Sequence, residues 1–600
     1  MNLRAPFAAT VVAVTRAIDE AVSAGAPVIV LEAMKMEHEL VADVDATVER
    51  LEVKVGDNVE EGQLLAVLAH DGSPAATREA SPSETDHGPL DEVRERHAVG
   101  LDEARPEAVH KRRERGRRTA RENLADLLDP DSFVEYGPLM HAAQEQRRPK
   151  QELIERTPAD GLVGGMGAVA GQPCVAMSYD YTVLAGTQGM RNHRKKDRLF
   201  ELAERRRLPV ILFAEGGGGR PGDVDMPIIA GLDCRAFHLF ARLSGLVPLI
   251  GIASGYCFAG NAALLGCCDV VIATEDASIG MGGPAMIEGG GLGVVAPENV
   301  GPIDVQDANG VVDLRVADDA AAVSAAKRYL GFFAREAVAP TAPSAPPSDP
   351  EVLRDLIPAN RKRIYDIRAV IDSLCDETLE LRGGFAAGMV TALARIDGRP
   401  LGVIANNPAH LGGAIDADGA DKAARFMQLC DAFGLPLLLL CDTPGFMVGP
   451  DAERSATVRH FSRLFVTGAN LEVPTGTIVL RKGYGLGAQA MAAGSFKAPM
   501  FTVGWPTSEF GAMGLEGAVR LGMRRELEAI TDLDERQRVY EATVAAAYER
   551  GRGVSMAAYF EIDDVIDPAD SRRWIRTLFD DAGPGWWVRA GKRRPNIDTW

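Results

Sequence analysis

"LPVILFAEGGGG", residues 208–219, falls on "LPLLLLCDTPGF", residues 435–446, when the chain is slid along itself by 227 positions (208 to 435). Each stretch is an apolar run without alternation that ends in a turn containing glycine. Runs of this kind belong to strands buried on both faces. The match extends outward. "GQP" (171–173) falls on "GRP" (398–400). "VPLIGIASGYCFAGNA" (247–262) falls near "VPTGTIVLRKGYGLGA" (473–488), and the 227 offset sets Gly260 against Gly487. "GMGG" (280–283) falls near "GAMG" (511–514). Each half repeats one order: a β-rich opening, a helix, an apolar strand ending in glycines, a helix, and another such strand. The pattern predicts a layered α/β core made twice. The Pro-rich break "APTAPSAPPSDP" (339–350) separates the copies, which places them at 91–342 and 343–600,.

A smaller repeat precedes them. At an offset of 37 (21 to 58), "AVSAGAPVIVLE" (21–32) falls on "NVEEGQLLAVLA" (58–69). Both copies read as short strands with period-two alternation. Two equal halves predict a small β-sandwich with a pseudo-two-fold axis over residues 1–70. The unmatched middle, Ala33-Met34-Lys35-Met36, is then the tight turn joining them. Two methionines on an exposed turn imply that something reads them. Residues 71–90, "DGSPAATREASPSETDHGPL", read as a tether, with a root-mean-square reach of roughly 25 Å at about 5–6 Å × √n.

Bulk properties narrow the function. Six hundred residues suggest several domains,. The net charge of −20 argues against a nucleic-acid partner, so anionic ligands must be met by local donors,. The eight cysteines form no CxxC pair, which disfavours a zinc ribbon or a disulfide framework and makes a reducing cytoplasm the default location,. No metal site is expected. "APFAATVVAV" (5–14) has the apolarity of a short export-signal core, but no clean cleavage site follows,. Residues 243–268 carry no charge and are long enough to span a bilayer,. They also hold Pro248, Ser254, Asn261 and five glycines. We read them as a buried strand, a turn and a buried helix, without membrane insertion.

"EAMKM" (32–36) on a two-fold β repeat, followed by "VGDNVEEGQLL" (55–65), resembles the biotin carboxyl carrier domain. The resemblance implies covalent biotin on Lys35, attached by a biotin protein ligase, with Met34 and Met36 in the same motif. Over residues 108–580 the duplicated part resembles the crotonase superfamily, and more closely the carboxyltransferase component of acyl-CoA carboxylases. Landmarks include "ADGLVGGMGAV" (159–169), "LIPANRKRIYDIRAVID" (356–372), "DKAARFMQLCDAFGLPLLLLCDTPGFMVG" (421–449) and "GLEGAVR" (514–520). The implied fold is α/β: tandem crotonase-like ββα-spiral domains behind a small all-β biotinyl domain.

The implied reaction moves a carboxyl group from biotin to the α-carbon, or a vinylogous γ-carbon, of an acyl-CoA. Two oxyanions develop, on the thioester and on the ureido ring. Paired backbone N–H groups at tight glycine turns stabilise such charge. By position in the family pattern, Gly217 and Gly218 would serve the acyl thioester, and Leu486 and Gly487 the biotin. Tyr484 and Gly485 would complete the biotin site. Arg220, Gly255, Ala259, Gly260 and Gln489 would line the acyl site. Leu486 and Gln489 depart from the family's small residue and aspartate there. A buried Asp-to-Gln change would alter acyl preference, and Pro221-Gly222 is a further departure. No nucleophile–base set appears, and His238, His410 and His460 read as packed or surface residues. The basic run Lys111 to Arg121 reads as a solvated helix face that could instead meet CoA phosphates.

"GGGGR" (216–220) also looks like a nucleotide loop of the ATP-grasp type, but the preceding "RRRLPVILFAE" lacks the lysine that fold needs. ATP and bicarbonate would then be used only by a separate biotin carboxylase. The family further implies a homo-oligomer, a trimer of dimers. Alternative readings are a biotin-dependent decarboxylase or transcarboxylase subunit, and a non-catalytic carrier or scaffold.

Overall fold

The computed structural model describes residues 1–70, 88–225, 229–335, 349–580 and 585–600. Most of the tether and the expected boundary at 342–343 lie outside the described residues. The chain divides into two units, Met1–Leu90 and Asp91–Trp600.

Unit one holds β1 (Asn2–Arg4), β2 (Ala9–Val14), β3 (Ala21–Val22), β4 (Pro27–Ala33), β5 (Met36–Val41), β6 (Ala46–Leu51), β7 (Asn58–Val59) and β8 (Leu64–Ala69). They form two antiparallel sheets ordered β1-β8-β6-β3 and β5-β4-β2-β7. The 37-residue repeat carries β2 onto β6, β3 onto β7 and β4 onto β8, so the sheets are copies of one another. Val11, Ile29, Leu31, Val48, Leu65 and Leu68 fill the space between them.

β4 and β5 pair down to Ala33 and Met36, leaving a two-residue turn of Met34 and Lys35. Both have positive φ, 53° and 67°. A right-twisted hairpin favours this type I′ geometry, which Asn-Gly normally supplies because a side chain in the left-handed region is disfavoured. Met34 is 96 % exposed and Met36 61 %. The turn therefore bears backbone strain and apolar exposure together around one lysine.

The division after Leu90 falls within α1 (Gly88–Ala98), whose first three residues belong to the stretch expected as tether. After α2 (Pro106–Glu114) the first half builds β9 (Val134–Glu135), β10 (Leu162–Val169), β11 (Gln172–Tyr179), α3 (Met190–Arg206), β12 (Val210–Phe213), β13 (Leu249–Ala253), β14 (Tyr256–Phe258), α4 (Gly260–Gly266), β15 (Val270–Thr274), β16 (Ser278–Gly280) and β17 (Leu314–Val316). Its sheet runs β17-β15-β13-β12-β11-β10-β9, with β14 and β16 paired separately. The charge-free stretch 243–268 is β13, β14 and α4, and no helix among the described residues is long and apolar enough to cross a membrane.

The second half repeats this with β18 (Glu377–Leu381), β19 (Met389–Ile396), β20 (Arg399–Asn406), α5 (Ala417–Phe433), β21 (Leu437–Thr443), β22 (Thr475–Tyr484), α6 (Gly485–Ala490), β23 (Phe501–Gly504), β24 (Glu509–Gly511) and β25 (Asp564–Val565). β10, β11 and α3 land on β19, β20 and α5 at the 227-residue offset. Beyond β21 the offset falls to 226, because Leu249 and Thr475 occupy the same place beside β12 and β21. Gly260 therefore corresponds to Leu486, one residue away from the alignment expected from sequence.

The strands lack alternation because both faces are covered. Leu438, Leu440, Ile478 and Trp505 face one cluster, while Leu437, Leu439 and Val479 face another that continues through the first half. α5 is buried almost throughout. Asp416 caps it by accepting from the Gly419 N–H at 2.8 Å, and it stops at Gly434 in the left-handed conformation,. The C-terminal segment straps the halves together. Ile597 N–H donates to Ser244 Oγ at 3.0 Å, and Arg594 pairs with Asp431 at 3.0 Å.

Replacing Met34-Lys35 by Asn-Gly removes the turn strain. The double variant is expected to stabilise unit one by about 1–2 kcal/mol, read as a higher-melting carrier transition in calorimetry; a lower one contradicts the turn assignment.

Candidate active site

β12 ends in Ala214 and Glu215, then the glycines. The Glu215 carboxylate is fully buried, and such a charge persists only when paired,. Arg112 Nη1 donates to it at 2.9 Å and Arg117 Nη1 at 2.9 Å. Arg117 also reaches Asp276 at 2.6 Å. The two guanidiniums lie near the rings of Tyr181 and Tyr256. The basic run is thus only partly a solvated face: its two key arginines turn inward. Gly255 (φ +85°) permits this, because a Cβ there would overlap the Arg117 guanidinium. That is a structural role, distinct from the acyl-wall role the family pattern suggested.

The glycine turn follows. Gly216 N–H donates to Tyr256 O at 2.8 Å and Gly217 N–H to Ala185 O at 3.0 Å. The expected amide pair at 217 and 218 is therefore not available as a pair, since strand-like pairing consumes the first member. The N–H groups of Gly218 and Gly219 have no acceptor among the described residues. Gly218 lies against Ala259: a Cβ on Gly218 would stand 2.7 Å from that of Ala259. Ala259 holds φ 51° just before α4, and Gly260 starts the helix. Arg220 departs from its expected substrate role. Its guanidinium is buried, joins Asp160, and donates to Thr187 O at 2.9 Å. It braces the turn.

In the second half Asp442 stands where Glu215 does, 227 residues on. It too is fully buried. It accepts from Arg481 Nε at 3.1 Å, Tyr365 hydroxyl at 2.7 Å and the Lys482 N–H at 3.1 Å. Burial and the adjacent carboxylate push the Tyr365 phenol well up. Around this anchor the 443–446 turn meets α6. A Cβ on Gly487 would lie 2.8 Å from Gly445 Cα. The N–H groups of Leu486 and Gly487 have no acceptor among the described residues. Tyr484 hydroxyl donates to Glu509 at 2.7 Å, and Gly485 takes φ 58° as Ala259 does. Leu486 is 62 % exposed, and Gln489 is exposed and not buried as expected, because it lies on the outer face of α6 with Leu486 while Gly487, Ala488 and Ala490 turn inward.

Of two nearby cavities, the first shares Arg112 and Tyr181 with the Glu215 anchor, and the second begins at Met447, just past the 443–446 turn. The first, about 680 Å³, is lined by Arg105, Lys111, Arg115, Arg156, Tyr181 and Thr182. The second, about 420 Å³, is lined by Leu411, Met447, Val448, Pro450 and Thr457. Sequence reasoning missed the carboxylate anchors, although an acidic residue recurring at the offset beside each turn was a usable signal.

Comparison with known proteins places this geometry. Residues 111–579 match the Carboxyl transferase domain family, and residues 2–68 match the family described as Biotin-requiring enzyme. The chain belongs to the biotin-dependent carboxyltransferases. It is 34 % identical over 505 residues to the methylmalonyl-CoA carboxyltransferase 12S subunit of Propionibacterium freudenreichii subsp. shermanii, covering 82 % of this chain and 93 % of that one. It is 31 % identical to the biotin-dependent long chain acyl-coenzyme A carboxylase beta4 subunit of Mycobacterium tuberculosis (strain ATCC 25618 / H37Rv), with coverages of 81 % and 93 %. Among solved structures, a single-chain, multi-domain long-chain acyl-CoA carboxylase aligns with TM-score 0.77 and 55 % identity. That alignment covers 96 % of this chain and 56 % of the other, so this chain spans little over half of it. The transcarboxylase 12S hexamer with methylmalonyl-CoA bound aligns with TM-score 0.73 and 31 % identity, covering 86 % of this chain and 99 % of that one. This enzyme of the carboxyltransferase family carries its biotin domain and its tandem crotonase-like domains in one polypeptide.

Gly255→Ala is expected to drive Arg117 off Glu215 and cost about 3 kcal/mol, as for other broken buried ion pairs. Urea unfolding measures it, and an unchanged midpoint contradicts the anchor.

Proposed function

We propose that the protein transfers a carboxyl group from biotin on Lys35 to the α-carbon, or a vinylogous γ-carbon, of an acyl-CoA. The observation that carries this is the twice-made turn: each half presents unpaired main-chain N–H groups beside a neutralised carboxylate. Lys35 fits the attachment point. It sits at an exposed two-residue tip, flanked by exposed methionines, in a conformation that folding alone does not favour. Biotin, when bound there, supplies the transferable carboxyl group and takes up the substrate's α-proton.

The chain's own part is positioning and charge stabilisation. Gly218 and Gly219, with Gly260 across the turn, offer donors to the thioester oxygen as it becomes an enolate oxygen. Leu486 and Gly487 offer the equivalent donors to the ureido oxygen. The correspondence of Gly260 with Leu486 supports this pairing, as both lie in the first turn of the helix packed against the glycine turn of their half. Lys111, Arg115 and Arg156 give the larger cavity the cations that CoA phosphates require,. Arg112 supports them but is committed to Glu215. Leu411, Met447, Val448 and Leu486 offer apolar surface near the second turn.

The likeness to a long-chain acyl-CoA carboxylase makes long acyl chains the first substrates to test. The Propionibacterium relative supports a second reading, transfer out of methylmalonyl-CoA. Loading of biotin with ATP and bicarbonate falls to a biotin carboxylase outside these residues. The hexamer of the transcarboxylase relative, and exposed Met281, Met286, Leu292 and Val294, support a homo-oligomer, a trimer of dimers.

The test uses biotinylated protein with a biotin carboxylase, ATP, bicarbonate and acyl-CoAs from short to long, with methylmalonyl-CoA as donor in a separate arm. Carboxylation of one chain-length class is expected, with none from Lys35→Arg. Failure with every acyl-CoA refutes the reading. Gly487→Ala, which pushes α6 from the 443–446 turn, is expected to lower kcat by on the order of a hundredfold, as for loss of one oxyanion donor. A kcat within twofold of wild type would remove Gly487 from the site.

A further inference from the structure

Lys196, on α3, is among the largest fully buried side chains of the molecule. No carboxylate lies within ion-pair distance of its ammonium among the described residues. It donates instead to the Tyr179 hydroxyl at 2.9 Å and to Gln188 Oε1 at 2.9 Å. A buried ammonium with only neutral partners is costly and calls for a reason. Its neighbour Lys195 offers a contrast. Lys195 donates to the carbonyls of Ala159 and Leu162, and its counterpart at the repeat offset, Lys422, donates to those of Arg382 and Phe385. That pair is a structural feature of both halves. Lys196 has no such twin, for its counterpart is Ala423.

Gln188 explains what Lys196 holds. An ammonium only donates, so the oxygen of the Gln188 amide must face it. The amide nitrogen then faces Asn261 Oδ1, at 3.2 Å. Asn261, fully buried in the first turn of α4, directs its own nitrogen to Gly186 O at 3.4 Å. The cation thus sets one orientation for two amides that could otherwise flip. The Gln188 main chain completes the link. Its N–H donates to Gly218 O at 2.6 Å, and its carbonyl accepts from the Arg220 N–H at 3.0 Å. One residue therefore ties the 216–219 turn, by its backbone, to the start of α4, by its side chain. In the second half the equivalents of Gln188 and Asn261 are Ile415 and Gly487, which can build no such relay.

We propose that Lys196 is a positioning residue for carboxyl transfer: through Gln188 it sets the geometry of the first-half anion site and lends it positive potential. The inference rests on the reading that this turn receives the thioester oxygen. It distinguishes the halves, since only the acyl-CoA side is backed by a buried lysine acting through a glutamine.

The groups facing Lys196 are Tyr179 on β11, Asp160 paired with Arg220, Asp197 and His193 on α3, and Cys234 beside His193. Burial and the nearby Lys196 and Arg220 cations push His193 down to about 3, so it stays neutral near neutral pH. Burial pushes Lys196 itself down to about 7. The ammonium is present below that pH and is lost as pH rises through it.

The experiment compares wild type, Lys196→Met, Gln188→Met, the double variant and Lys195→Met in the full-length biotinylated protein. The assay measures kcat and KM for the acyl-CoA that wild type carboxylates, from pH 6 to 9, with melting temperature alongside. Lys196→Met is expected to lower kcat at least tenfold at pH 6.5 while its melting temperature holds or rises, because it removes a buried charge. Wild type and Lys195→Met should share a kcat limb that falls as pH rises through about 7, and Lys196→Met should lack it. The double variant should lose no more than the worse single variant, as expected of residues acting in series. Wild-type kcat in Lys196→Met, an unaltered limb in it, or a loss that tracks a lowered melting temperature each overturn the proposal. Absence of transfer by wild type itself would overturn the reading of the whole site and this proposal with it.

Discussion

A carboxylate at the end of a fully buried strand must find a cation, and in this protein two such carboxylates do so at equivalent places. Glu215 takes Arg112 and Arg117, while Asp442 takes Arg481 and Tyr365. Each interaction holds the strand end from which a glycine turn springs. Arg112, Arg117 and Tyr365 come from segments remote in sequence, so these bonds also fix how α2 and the chain after residue 356 lie on the sheets. With the carboxylates pinned, the turn amides can point outward without carrying the fold themselves.

The duplication made two sites from one plan, and the halves have since diverged in the layer beneath the turns. The first is backed by polar groups, Gln188, Asn261, Tyr179 and Lys196. The second is backed by Ile415, Gly487 and Ala423, with an exposed leucine at its mouth. Under the proposed reaction, two oxyanions on chemically different ligands would ask for different surroundings, and this divergence would supply them. The carrier unit shows the same economy at smaller scale, with two copies of one sheet meeting at a single strained turn.

Much of this was legible in the chain itself. The 37- and 227-residue repeats located strands and helices to within a residue or two, because buried strands leave apolar runs that survive divergence. Lys35 between two methionines was legible because exposed apolar residues on a turn have no folding rationale. The glycine turns were visible too, but not which amides remain open. That depended on Gly217 pairing with Ala185, a contact between segments far apart in sequence. The start of α1 at Gly88 was not visible, because it lies inside a polar, Pro-containing stretch without apolar periodicity.

The sequence by itself determined the two repeats, the order of elements and the Met34-Lys35 turn, since periodicity and turn chemistry are local. Only the tertiary structure decided that Arg112 and Arg117 turn inward, that Arg220 is consumed by Asp160, that Gln489 lies outside, and that Lys196 reaches the first-half turn through Gln188. Each of these depends on which remote groups share a buried volume, and charge pairing in a dry interior is a property of that volume and not of neighbouring residues along the chain.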